Sequence, residues 1–406
     1  MDALANPYRP GAGTAPPALI GRDDLINRFG VTVRRALQRR PGKSLMPIGL
    51  RGVGKTVLLN RFAEISEQEG LKVAAIESPE NGDFRVLLAV TLRRVLLEFD
   101  RMGVVGTAKA AVLKALQVLK TFTLQLPDGA TIAIDVDALA GTADSGILSE
   151  DVTALLVAVG EAAAARQSGL LLSIDEVQYL AGDELAALIT AIHRTTQLNL
   201  PVVLVGAGLP QLPGLAGDAK SYAERLFDFP EIGSLGPDDA AAAIAIPARE
   251  QGVEIASQAL KIIVSEAKGY PYFLQEWGYR VWDHAESTPI TVKDVSSVKP
   301  VVISQLDRNF FLVRFDRLTP KEREYLRAMA ELGPGPHRSG DIARCLGVRV
   351  ETVAPRRSEL ISKGMIYSPA HGDTAFTVPL FDEYLHRAMP NWQRPSTRRG
   401  RAKHRR

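Results

Sequence analysis

Apolar positions along the chain change period several times, and the changes mark its elements. Positions 25–38 repeat at helical spacing and end in the basic, proline-stopped Arg39-Arg40-Pro41. The run 44–50 reads as a buried strand, followed by a glycine loop and a helix from 55 to about 70. A short strand at 71–77 and an amphipathic helix at 85–102 continue a strand–helix alternation, the rhythm of a parallel sheet. That rhythm resumes with strands at 169–174, 201–205 and 231–235 and a helix at 183–195, and 237–284 is helix-rich.

The stretch 108–168 interrupts it. A helical piece leads into two alternating segments, 121–126 and 131–136, joined by Pro127-Asp128-Gly129, a hairpin pattern. An alanine-rich helix follows, with Ser149 and Asp151 as candidate caps. The segment reads as an insertion, about 104–150, in the α/β core.

From 318 onward the pattern describes a smaller unit. Thr319-Pro320-Lys321-Glu322 is a capping box with proline at the first helical position. The helix stops at Gly333-Pro334-Gly335-Pro336; a short one runs to 346 and a third spans 349–363. Segments 364–367 and 375–378 flank a Gly-Asp turn as a hairpin. Helix, helix-turn-helix and hairpin give a winged helix. Its third helix carries Arg349, Arg356, Arg357 and Lys363, a phosphate-contacting set, although Pro355 argues against a long helix deep in the major groove.

Composition adds little until its distribution is considered. The 406 residues suggest two or three domains, and the net charge is only +3. The end is different: Arg394, Arg398, Arg399, Arg401, Lys403, Arg405 and Arg406 occur with no acid among them, a tail suited to a polyanion. One cysteine, Cys345, excludes an internal disulfide, and the six histidines show no metal-ligand spacing. Residues 1–17 lack a signal pattern and read as a disordered lead, and no apolar run is long enough for a membrane span. The expected location is cytoplasmic.

The chemistry lies in two motifs. Gly49-Leu50-Arg51-Gly52-Val53-Gly54-Lys55-Thr56 satisfies G-x-x-x-x-G-K-[ST] between a strand and a helix. The glycines turn backbone N–H groups onto phosphates, and a helix amino terminus adds positive potential. Lys55 is expected on the β and γ phosphates, and Thr56 on Mg²⁺. The apolar run 170–174 delivers Asp175 and Glu176 at a strand's carboxyl end, where open α/β sheets bind ligands. Asp175 is expected at Mg²⁺, and Glu176 as the group that orients and deprotonates water.

On these motifs the chain resembles the AAA+ superfamily, in the branch of initiator-type (origin-recognition) and STAND-like archaeal ATPases, over roughly 19–283. The resemblance implies an α/β P-loop fold with a parallel-sheet core, a helical lid, a following winged helix, and ATP, ADP and Mg²⁺ as cofactors. Gly21-Arg22-Asp23 resembles the entry segment over the adenine. Gly269-Tyr270-Pro271 resembles the G-x-P of STAND lids, with Pro271 near the base. Arg225, before the last strand, holds the place of an arginine finger, or is an ordinary surface arginine; Arg280 is a weaker candidate for a γ-phosphate sensor. One departure stands out: Gly206-Ala207-Gly208 occupies the end of a strand where many members carry a polar side chain that positions the lytic water. Slow hydrolysis, or substitution by Gln178 or backbone groups, follows.

Two readings stay open. The preferred one is an ATP-hydrolysing protein that binds double-stranded DNA through the winged helix and tail, with subunits meeting as a homo-oligomer through Arg225. The other is a nucleotide-dependent regulatory switch whose winged helix makes internal or protein contacts. The expected organisation is a lead (1–17), AAA+ core (18–236), helical lid (237–300), winged helix (301–390) and basic tail (391–406).

Overall fold

The computed structural model describes residues 1–394 except 12, 81, 102–105, 127–131 and 371. Contacts divide the chain into two compact units: Ala12–Gly49 with Val53–Ser234, here the sheet unit, and Met1–Gly11, Leu50–Gly52 and Leu235–Arg406, here the helical unit.

The sheet unit is built on five parallel strands: β1 (Ser44–Leu45), β2 (Leu71–Glu77), β3 (Gly169–Asp175), β4 (Val202–Gly206) and β5 (Phe227–Asp228). Their order is β2-β3-β4-β1-β5. Helices α1 (Asp23–Leu37), α2 (Lys55–Gln68), α3 (Phe84–Arg101), α4 (Thr107–Thr123), α5 (Leu148–Ala165), α6 (Gly182–Gln197), α7 (Leu212–Ala219) and α8 (Ala223–Leu226) accompany it. The central strands read as unbroken apolar runs because both faces are covered: Leu170, Leu171, Leu172, Ile174, Leu204 and Val205 are all fully buried. Register aligns Glu77 with Asp175 and Ile174 with Gly206, so the acidic end of β3 projects just past β4.

Three expectations change here. The strand expected over 44–50 is a two-residue ladder plus a bridge at Ile48, because Pro47 has no N–H to donate. The strand expected at 231–235 is β5 at Phe227–Asp228, with only an isolated Ile48–Glu231 bridge beyond it. The hairpin is absent among the described residues. Positions 121–123 finish α4, whose Val112, Ala115, Leu116, Leu119 and Phe122 bury one helical stripe. Ile132, Ile134 and Val136 do turn inward alternately, but they pack against the helical side of the core without a ladder partner. The turn itself, 127–129, lies outside the described residues.

The helical unit contains α9 (Pro237–Glu250), α10 (Ser257–Ala267), α11 (Pro271–His284) and α12 (Val292–Leu306). A π-helical stretch, Asp307–Leu312, and α13 (Val313–Phe315) lead onward. Then come α14 (Pro320–Glu331), β6 (His337–Arg338), α15 (Ser339–Leu346), α16 (Val350–Ser362), β7 (Ile366–Tyr367), β8 (Asp373–Phe376) and α17 (Phe381–Ala388). The three strands form an antiparallel sheet in the order β6-β8-β7.

The disordered lead is corrected over 1–11. Tyr8 is 2% exposed and donates its hydroxyl to Ile244 O at 2.6 Å, while Trp282 Nε1 donates to Asp2 O at 2.9 Å. Gly278 makes this possible, since a methyl group there would lie 2.5 Å from the Tyr8 ring. An aromatic with a satisfied hydroxyl fastens the segment, which composition alone conceals.

Candidate nucleotide site

The loop between β1 and α2 is shaped by its glycines. A methyl at Gly49 would lie 2.2 Å from Ile232 O, and Gly54 has φ 93°, a conformation that L side chains resist. Gly54 is also the N-cap of α2 and supplies no side-chain cap. The first-turn amides of a fourteen-residue helix are therefore left without a side-chain acceptor, the arrangement that receives an anion. Val53 beside it is buried and anchors the turn. Lys55 is 6% exposed, and its Nζ donates to Gly49 O at 3.0 Å across the loop.

The carboxylates meet this helix from β3. Thr56 Oγ1 donates to Asp175 Oδ2 at 2.5 Å, and Glu176 N donates to Asp175 Oδ1 at 2.8 Å. Burial raises the Asp175 pKa above the usual carboxylate range, opposed first by the Thr56 hydrogen bond. A desolvated carboxylate touching a hydroxyl is a donor pair suited to a divalent cation, whose charge would offset that desolvation. Glu176 adopts φ 53°, a left-handed turn unusual for a side-chain-bearing residue, which breaks the strand and re-aims the carboxylate.

Gln178 lies within the short turn Val177–Tyr179 that follows. Its Oε1 accepts from Leu209 N at 3.0 Å, and its Nε2 donates to Glu176 Oε2. Sequence reasoning named Gln178 only as one alternative. The empty strand end at 206–208 was the available signal that another side chain must enter there.

The remaining expected residues divide between the units. In the sheet unit, Gly21 has φ 71°, and Arg22 donates to Gly21 O and, at 2.7 Å, to Gly233 O. Arg225 is exposed on α8, and its guanidinium has no partner among the described residues. In the helical unit, Gly52 O accepts from Tyr272 N at 3.3 Å, Arg51 O accepts from the Tyr270 hydroxyl, and Arg51 N donates to Thr377 O at 3.3 Å. Gly269 has φ 67° and no room for a methyl, which would meet Leu235 O at 2.4 Å; Pro271 then opens α11. Arg280 is paired with the buried Glu276 at 2.8 Å, which accounts for it without a phosphate.

Two of the four cations expected to contact phosphate, Arg357 and Lys363, have partners within the fold. Arg357 donates to Thr374 Oγ1, Ser368 Oγ and Asp373 O, and so ties α16 to the sheet. Lys363 bonds both oxygens of Glu322 at 2.8 Å. Arg349 is exposed and Arg356 half-buried, and neither side chain has a partner among the described residues. Arg398, Arg399 and Arg401 lie outside the described residues.

Known proteins resemble this chain in part. Residues 18–205 match the family model "AAA ATPase domain", and residues 308–385 match a domain of unknown function, DUF8462. A search of the curated proteins gives no significant match. Among solved structures, the Walker-type ATPase PABY2304 of Pyrococcus abyssi is 15% identical, with 92% of this chain and 97% of that one covered at a TM-score of 0.56. The RuvB Holliday junction branch migration motor of Thermotoga maritima is 16% identical over 93% and 97%, with a TM-score of 0.45. The Aeropyrum pernix ORC1 protein, solved in complex with DNA, is 17% identical over 92% and 94%, with a TM-score of 0.47. Over residues 18–205 the chain is thus similar to AAA ATPase domains, and its parallel-sheet α/β core matches that of a Walker-type ATPase. Among the described residues, no helix is long and apolar enough to cross a membrane.

Proposed function

We propose that this protein binds and hydrolyses ATP and couples the nucleotide state to duplex DNA. The observation that carries the first part is the convergence of α2 and β3. Thr56 and Asp175 share a 2.5 Å hydrogen bond, Lys55 opens the helix beside them, and Glu176 follows at the strand end. Gly49, Gly52, Val53 and Gly54 would shape the phosphate loop, and Gly21 and Arg22 would lie near the base. Mg²⁺, held by Thr56 and Asp175, would neutralise charge on the phosphates. The chain's own work is to orient the γ-phosphate with Lys55 and to take the proton of the attacking water on Glu176. Arg225, exposed and unpartnered among the described residues, would stabilise transition-state charge in a neighbouring subunit's site.

The DNA part rests on the order α14, β6, α15, α16, β7, β8, read as a winged helix, on Arg349 and Arg356, whose side chains have no partner among the described residues, and on the basic tail. Turnover of ATP with and without duplex DNA, and DNA anisotropy across a salt series in ATP and in ADP, test it. Stimulated turnover and nucleotide-dependent binding are expected. DNA that leaves turnover unchanged would remove the coupling.

One observation favours a second reading, the regulatory switch. Gly206-Ala207-Gly208 at the end of β4 offers no polar side chain to position the lytic water, and a switch tolerates slow hydrolysis. A switch of that kind would retain ADP through purification and turn over slowly whatever the DNA.

A further inference from the structure

The end of β4 has no polar side chain and no room for one. A methyl at Gly206 would lie 2.8 Å from Val177 Cγ2. Ala207 is fully buried; its N–H donates to Ile174 O and its carbonyl accepts from Val177 N, both at 2.9 Å. A methyl at Gly208 would lie 2.8 Å from Gln178 Oε1 and 2.9 Å from Leu212 Cδ2. The space beside Gly208 is taken by the amide of Gln178, delivered from the neighbouring strand's end.

The amide's orientation is fixed by its partners. Leu209 N is a donor, so the atom facing it must be Oε1, and the NH₂ group necessarily faces Glu176. A carboxylate that accepts this bond on Oε2 keeps Oε1 for water. Glu176 also stands on a left-handed turn, and a side chain in such a position needs a second fixing point if its carboxylate is to be held in one place.

We propose that Gln178 is the positioning residue for hydrolysis, doing from β3 what a polar side chain at the end of β4 does elsewhere. It acts through Glu176, and the inference rests on the ATP-hydrolysing reading. In the step concerned, water oxygen bonds to the γ-phosphorus as the bond from that phosphorus to the bridging oxygen of ADP breaks. Glu176 carries the water proton to the departing phosphate. Gln178 neither gains nor loses a proton; it holds the Glu176 carboxylate where that proton is taken. Gly208 is then required for space, and its role is steric.

The test is steady-state kcat and KM for MgATP, with the dissociation constant of a fluorescent ATP analogue, in wild type, Gln178→Ala, Glu176→Gln and the double variant. Gln178→Ala should lower kcat by roughly 10- to 100-fold, the scale of one positioned catalytic contact, with analogue affinity within about twofold. The double variant should be no slower than Glu176→Gln alone, since both remove one action. Gln178→Glu keeps the shape and the acceptor for Leu209 but loses the donor, so it should show the same loss even if the alanine variant folds poorly. Gly208→Ala should shift kcat in the same direction by crowding the amide. Wild-type kcat in Gln178→Ala and Gln178→Glu would overturn the inference, as would an equal further loss in the Glu176→Gln background. A wild-type chain that binds the analogue but turns over no faster than Glu176→Gln would fail differently, sinking the hydrolytic reading and the inference with it.

Discussion

The end of β3 and the face of α16 both present charged side chains that the sequence marks as functional, and the fold treats them oppositely. At β3, Asp175 and Glu176 are bound to their own neighbours, Thr56 and Gln178, within a site whose backbone leaves helix amides open to an anion. On α16 and at its two ends, Arg357 and Lys363 are spent on Thr374, Ser368, Asp373 and Glu322, while Arg349 and Arg356 have no side-chain partner among the described residues. The strand-end motif is specified by backbone: glycines, a helix start and a strand terminus fix where its groups go. Cations on a helix are specified by whatever packs against them, and a short sequence window does not contain that information.

Breaking the first region should therefore change chemistry while leaving the fold intact. Lys55→Ala removes the cation that bridges the loop to Gly49 and that would meet the phosphates. The fluorescent ATP analogue should bind at least about 100-fold more weakly, the loss of a charge-assisted contact worth roughly 3 kcal/mol. Thermal unfolding should move by only a few degrees. Retained tight binding would detach Lys55 from the phosphates.

Breaking the second region should do the reverse. Glu322 is 1% exposed at its side chain, whereas Lys363 is 32% exposed, so Lys363→Ala leaves a buried carboxylate without its cation. Discounted for the half-open lysine, the expected cost is about 1–3 kcal/mol of stability, read by denaturant midpoint, with ATP turnover unchanged. Arg357→Ala should cost a similar amount, because three acceptors lose their donor. A variant at either position that kept full stability and lost DNA affinity would restore the residue to a phosphate-contacting role.

The same contrast explains what could be read in advance. The strand–helix rhythm, the P-loop and the Asp175–Glu176 pair were legible, since period and motif are local. The hairpin expected over 121–136 was not, because Ile132, Ile134 and Val136 alternate as a strand would while packing against helices without pairing. The fastening of residues 1–11 was hidden for a similar reason: it depends on Gly278, some 270 positions away, leaving room for one tyrosine ring. Gly278→Ala should overpack that contact by about 1–3 kcal/mol, lowering the unfolding temperature without touching nucleotide affinity. An unchanged temperature would mean that the lead is not fastened there.

The smallest expected effect discriminates most sharply on the DNA side. Among the described residues neither Arg349 nor Arg356 has a side-chain partner, so their removal should spare stability and reach only a ligand. If each meets one phosphate, Arg349→Ala and Arg356→Ala should each weaken duplex binding several-fold at moderate salt, alike for different sequences. Each should also reduce the log–log salt slope by about 0.9. The measurement belongs in the full chain and in one ending at Pro390, since the terminal cations add their own contribution to the slope. A reduced slope in both chains would place the contact on α16. An unchanged slope in the shorter chain would leave α16 without a phosphate, and Arg349 and Arg356 would then be no more than solvated side chains.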